Sequence, residues 1–84
     1  MGHGHARFRA GEFRYPQGYA YRRWSIGQSL PLVFLSSAYA FGDYAALGLD
    51  VPPYGYEWVR YGPDVVLVQL RTGRIVDVVY GVFY

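Results

Sequence analysis

Apolar and aromatic residues gather in three runs near the C-terminal end of this chain, over positions 56–61, 65–71 and 74–80. Gly62-Pro63-Asp64 separates the first two runs, and Thr72-Gly73 the last two. Short runs rich in β-branched and aromatic residues, divided by glycine- and proline-bearing turns, predict a three-stranded antiparallel meander. If Thr72 and Gly73 alone form the second loop, Leu70 faces Ile75, Val68 faces Asp77 and Val66 faces Val79. The other side then pairs Gln69 with Val76, Leu67 with Val78 and Val65 with Tyr80. Both faces are largely apolar, unlike a sheet with one wet face, so both need cover. This register also sets Arg71 opposite Arg74, an unfavourable pair unless a bulge shifts the strands.

Upstream the pattern is more broken. Residues 1–18 mix glycine, arginine and isolated aromatics without a helical period, which reads as a flexible basic arm; Phe13 to Tyr15 could still add to a sheet edge. Residues 25–31 read as a loop, because glycine, serine and proline interrupt any regular element. Pro31 then opens a single helical turn over 31–37, at the first position that proline tolerates. Residues 38–44 form a candidate first strand, and Pro52-Pro53 holds the following loop extended. The expected class is α+β, predominantly β: an antiparallel meander of three or four strands with a short helical turn, in one domain over 19–84. Cover for the second face comes from that turn, from the arm or from a homodimer partner.

Composition sharpens this picture. Eighty-four residues without cysteine must be held by packing alone. The chain is 52% hydrophobic and 20% aromatic, with ten tyrosines, and aromatics cover a thin sheet with few residues. The net charge of +2 is unevenly spread. Five arginines against Glu12 make residues 1–24 basic, whereas three arginines against five carboxylates make residues 25–84 mildly acidic. Such an arm reads first as a solvated tail, with contact to an anionic membrane surface or a nucleic acid as the alternative. A nucleic-acid partner is disfavoured, because the sheet region is net negative and shows no recognition motif. The opening Met1-Gly2-His3-Gly4-His5 lacks the charged and apolar regions of a signal peptide; if the natural protein is exported, this sequence is its mature part.

Candidate chemistry is sparse. The only histidines, His3 and His5, are the candidate metal ligands. With Met1 retained, the free amine, two amides and the His3 imidazole form a square-planar set suited to nickel or copper. The carboxylates Asp43, Asp50, Glu57, Asp64 and Asp77 show no metal-loop spacing. Asp64, after Gly62-Pro63, reads as a turn residue that accepts local backbone bonds. Asp43 and Asp77 become functional candidates if the fold brings them to Arg60. Tyr56, Trp58 and Arg60 share one face of a strand, forming either a binding strip or a core stripe, with core the better reading for Trp58. No serine or threonine has a histidine to activate it within the folded part, so an enzyme is not expected.

From Tyr21 onward the residues resemble the RcnB family. Its opening motif resembles Tyr21-x-x-Trp24-x-x-Gly27-x-x-Leu30-Pro31, and its central motif resembles Pro52-Pro53-x-Gly55-Tyr56-x-Trp58-Val59-Arg60. Gly62-x-Asp64 and Thr72-Gly73-x-Ile75-x-x-Val78-Val79 extend the likeness. The resemblance implies a small, exported periplasmic protein without known enzymatic activity, linked to nickel and cobalt homeostasis beside an inner-membrane efflux system. Two features depart from it. Leu32, Val33, Phe34 and Leu35 are apolar where the family is expected to be more polar, suggesting a buried contact or a dimer interface. The matched segment also lacks histidine and cysteine, the usual nickel ligands. The expected role is metal homeostasis or envelope physiology through an interaction surface, toward an envelope protein or the membrane. The alternative is an envelope module that recognises a glycan or peptide through its aromatic strip.

Overall fold

Three strands, β1 (Tyr56–Tyr61), β2 (Asp64–Gln69) and β3 (Ile75–Val79), form an antiparallel sheet in the order β1-β2-β3. They belong to a computed structural model that describes residues 7–84. The expected meander is present, with strand limits within a residue or two of those read from the pattern. In the first hairpin Tyr61 pairs with Asp64, so Gly62 and Pro63 alone make the loop. Gly62 takes φ +59°, as the first position of a tight primed hairpin turn can require.

The second hairpin differs from expectation by one position. Val65 pairs with Val79, Val66 with Val78 and Leu67 with Asp77, after which a bulge brings Val68 opposite Ile75. Val76 is the extra residue. The cause lies in the loop, which uses residues 70–73 rather than two. The Thr72 and Gly73 amides both donate to the Gln69 carbonyl, and the Gln69 amide donates to the Arg74 carbonyl. Asp77 thereby stands across from Leu67 and remains exposed, instead of facing the buried Val68. Arg71 and Arg74 no longer oppose each other.

Short ribbons cover parts of both outer edges. Beside β3, the Gly27 amide donates to Ile75, the Ile75 amide to Gln28 and the Leu30 amide to Gly73. Beside β1, Ala40 pairs with Val59. The strand expected over 38–44 is reduced to this one bridge, because residues Tyr44–Leu47 turn into a 3₁₀ helix. Gly48, at φ +74°, ends that turn with its amide on the Tyr44 and Ala45 carbonyls. A second 3₁₀ turn, Leu32–Leu35, follows Pro31 as expected. These two turns are the whole helical content among the described residues, so the fold is mostly β and its α component is barely present.

The chain covers both faces of its sheet by itself. On one face Val59, Tyr61, Val66, Val68 and Ile75 pack with Trp24, Leu30 and Phe34, and Phe13, Tyr15 and Tyr39 close the rim. On the other, Trp58 and Val65 pack with Leu47, Val82 and Phe83, joined by Phe8, Phe41 and Leu49. Residues 8–15 therefore differ from the flexible arm expected over 1–18. Phe8 donates to the Val82 carbonyl and accepts from the Tyr84 amide, while Ala10 donates to Tyr84. Phe13 stacks edge-on against Tyr15, with centroids 4.9 Å apart.

Gly73 gives a sharp test of the edge ribbon. It is buried at φ +78°, and an added Cβ would lie 2.7 Å from the Leu30 carbonyl oxygen. Gly55 has a similar φ of +86° with open space around it. Gly55→Ala is expected to cost about 1 kcal/mol from backbone strain alone. Gly73→Ala should cost about 3 kcal/mol, since overpacking adds to that strain. Urea unfolding midpoints of the two variants check the difference.

Candidate functional site

β1 places Tyr56, Trp58 and Arg60 on one face, as the two-residue period requires. Trp58 is only 4% exposed, and its Nε1 donates to the Asp50 carbonyl at 2.9 Å. It is a core residue. Arg60 is half-buried and also engaged: Nε donates to Gly62 O at 2.9 Å, Nη1 to Ala10 O at 3.3 Å and Nη2 to Gly11 O at 2.6 Å. Its guanidinium lies 4.9 Å from the Phe83 ring centroid and 5.3 Å from that of Phe13. Burial lowers its pKa from the usual arginine value. The strip is thus mostly interior, with Tyr56 half-buried and the neighbouring Tyr54 fully exposed.

The two candidate carboxylates separate. Asp43 shares a cleft of about 680 Å³ with Arg60, between residues 8–14 and 38–43. Phe13, Tyr39 and Phe41 give it an aromatic lining, and Arg9, Glu12 and Arg14 add charge. Asp77 lies in another hollow with Asp50, Trp58 and Tyr80, and its Oδ1 accepts from the Val78 amide. In the apolar turn Leu32 and Val33 are exposed, Leu35 is half-buried, and Phe34 is wholly buried in the chain's own core. His3 and His5 lie outside the described residues. Among the described residues, no three His, Cys, Asp or Glu side chains converge as metal ligands would.

Sequence reasoning missed the role of Asp64. This residue is 3% exposed, and both carboxylate oxygens reach well beyond the local turn. Oδ2 accepts from the Tyr21 hydroxyl at 2.6 Å and Oδ1 from the Gly81 amide at 2.8 Å. Burial and the bond to Asp64 push the Tyr21 phenol up to about 12. Tyr15 is raised by burial and by Asp64, with Arg60 opposing. Gly62 allows this crowding, since a Cβ there would lie 2.5 Å from the Tyr15 hydroxyl. A Gly-Pro-Asp string announces a turn, and nothing in it announces partners 43 and 17 residues away.

Tyr21→Phe should cost about 1–3 kcal/mol, because it leaves a buried carboxylate oxygen without its donor. The phenol is raised in the folded state, so its contribution to stability is full below pH 10 and is lost as pH rises through about 12. Unfolding midpoints between pH 9 and 12 should therefore fall less steeply in Tyr21→Phe than in the parent; equal slopes would count against the Asp64 bond.

One solved structure aligns with 96% of this chain and 93% of its own at 23% identity. The TM-score is 0.67, which shows a shared fold and no more. No curated protein matches the chain. The family model described as RcnB, nickel/cobalt transporter regulator, matches residues 27–77. That span runs from the ribbon beside β3, through both hairpins, into β3 itself. Because the match takes in more than half of the chain, this protein belongs to the RcnB family of nickel/cobalt transporter regulators.

Proposed function

We propose that this protein is a non-enzymatic, exported periplasmic component of nickel and cobalt homeostasis that acts through an interaction surface. Family membership over residues 27–77 carries the reading. Residues 7–84 contain neither histidine nor cysteine, so their donor set does not fit a resident nickel centre built on imidazole or thiolate. Metal contact falls to His3 and His5, and the folded part presents surfaces to a partner.

One such surface is the 3₁₀ turn after Pro31. Phe34 anchors the turn in the core, and the anchored turn offers Leu32 and Val33 to solvent, 69% and 43% exposed. This apolar pair suits a second copy of the chain or an envelope protein. The rival reading, a glycan- or peptide-binding module, draws on the exposed Tyr54 and half-buried Tyr56 rather than on Trp58.

Two measurements test this reading. In a residue-resolved NMR titration with nickel, saturable shifts should centre on His3 and His5 and vanish when both are replaced by alanine. Shifts within 38–84 that survive the replacement would instead make the folded part a ligand. Cells lacking the gene should also change their nickel and cobalt content, and unchanged content would overturn the homeostasis role. Separately, sedimentation should show Leu32→Glu with Val33→Glu shifting a dimer to monomer while circular dichroism shows that the variant stays folded. An unchanged mass would remove the dimer contact.

A further inference from the structure

We infer that the cleft between residues 8–14 and 38–43 is a strand-addition site for an extended acidic segment of a partner protein. The inference rests on the reading that this protein works through an interaction surface, and it names the chemistry of the partner. Ala40 is the central position. Two bonds flank its pairing with Val59: the Phe41 amide donates to Trp58 O at 2.8 Å, and the Arg60 amide donates to Tyr39 O at 3.0 Å. A residue in such a non-hydrogen-bonded pair directs its own N–H and C=O away from the partner strand. Ala40 therefore turns both groups outward, and neither forms a hydrogen bond among the described residues. The ribbon at 27–30 covers only the start of the β3 edge, beside Gly73–Ile75.

An unpaired edge is a template for another strand. Around this one the residues Ala38, Ala40 and Gly42 are small and exposed. Tyr39 and Phe41, at the intervening positions, pack inward against the two core clusters. The cleft beside the edge, about 680 Å³, falls within the range of ligand clefts, roughly 300–1,000 Å³.

Charge selects the occupant. Arg9, Arg14 and Arg60 line the cleft against Glu12 and Asp43, leaving it net positive. The donors of Arg60 are taken by backbone carbonyls. Arg9 and Arg14 make no hydrogen bond or ion pair among the described residues, so their guanidinium forks are free to hold carboxylates in two-point contacts. A strand with acidic side chains at alternate positions meets both demands: backbone bonds at Ala40 and carboxylates at the arginines.

The test uses the full chain and a blocked pentapeptide of alternating glutamate and valine. NMR titration should show saturable shifts at the Ala40 amide and the neighbouring edge. Free glutamate should need at least tenfold higher concentration, and the same peptide with lysine for glutamate should not bind. Ala40→Pro removes the outward N–H while leaving both flanking bonds to β1, and should weaken the peptide at least tenfold. Arg9→Gln with Arg14→Gln alters only exposed side chains, so it tests the charge requirement even if the proline variant folds poorly; at least fivefold weaker binding is expected. Equal binding by free glutamate or by the lysine peptide, or unchanged affinity in either variant, would overturn the proposal. So would displacement of the peptide by phosphatidylglycerol vesicles, which would assign the arginines to a lipid surface. None of these failures touches the homeostasis role, which is measured separately by the metal content of cells lacking the gene.

Discussion

A sheet with apolar residues on both faces must be covered twice, and here 84 residues without a disulfide have to supply both covers. That demand organises the whole molecule. Neither layer is a helix of useful length, so each is assembled from separated pieces of irregular chain. Residues 13–39 provide one; Phe8, the turn at Tyr44–Leu47 and the C-terminal Val82-Phe83 provide the other. Aromatic side chains make this workable because each buries a large area. Tyr61 is the hub of the first layer, with Phe34, Tyr15, Trp24 and Phe13 at centroid distances of 4.8, 5.5, 5.9 and 6.0 Å.

Irregular covering layers need polar anchors, and the first hairpin supplies them. Arg60 holds the carbonyls of Ala10 and Gly11, Asp64 holds Tyr21 and Gly81, and the Pro63 carbonyl accepts from Val82 and Phe83. Arg60, Pro63 and Asp64 thus tie residues 10–21 and 81–83 to the sheet. The motif that most resembles the family explains itself in these terms. Gly55 and Gly73 occupy positive φ in turns, Trp58 fills the core, and Arg60 and Asp64 staple the covering segments. Those residues serve the architecture. Among the described residues the architecture leaves over the outward backbone groups of Ala40 and the exposed apolar pair Leu32-Val33.

Arginine use follows the same division. Arg22 stacks over Trp24 at 4.3 Å, Arg23 over Tyr80 at 3.6 Å and Arg7 over Tyr84 at 4.8 Å, so part of the basic N-terminal third is engaged with the domain's own aromatics. Arg9 and Arg14 are left at the cleft beside Ala40. A net charge counted over a segment cannot separate stacked arginines from available ones.

Period and punctuation made the three strands, both turns and the core position of Trp58 legible in the sequence, because a β period of two and glycine-bearing turns are local signals. The apolar character of both sheet faces was legible for the same reason. What covered them was not. Residues 8–15 carry no periodic pattern, and their docking depends on carbonyls that meet Arg60 only after the sheet exists. The bulge at Val76 escaped a two-residue turn because Gln69 recruits Thr72 and Gly73 into a longer loop. Asp64 looked local because its partners are distant in sequence and adjacent only in space. Phe34 looked like one of four interchangeable apolar residues until the turn gave it, and not Leu32 or Val33, to the core. The sequence by itself determined the three strands, the turn after Pro31 and the sheet order, since these rest on near-neighbour preferences. Only the tertiary structure decided which polar groups became staples, which edge stayed open and which arginines stayed free, because those depend on contacts between segments far apart along the chain.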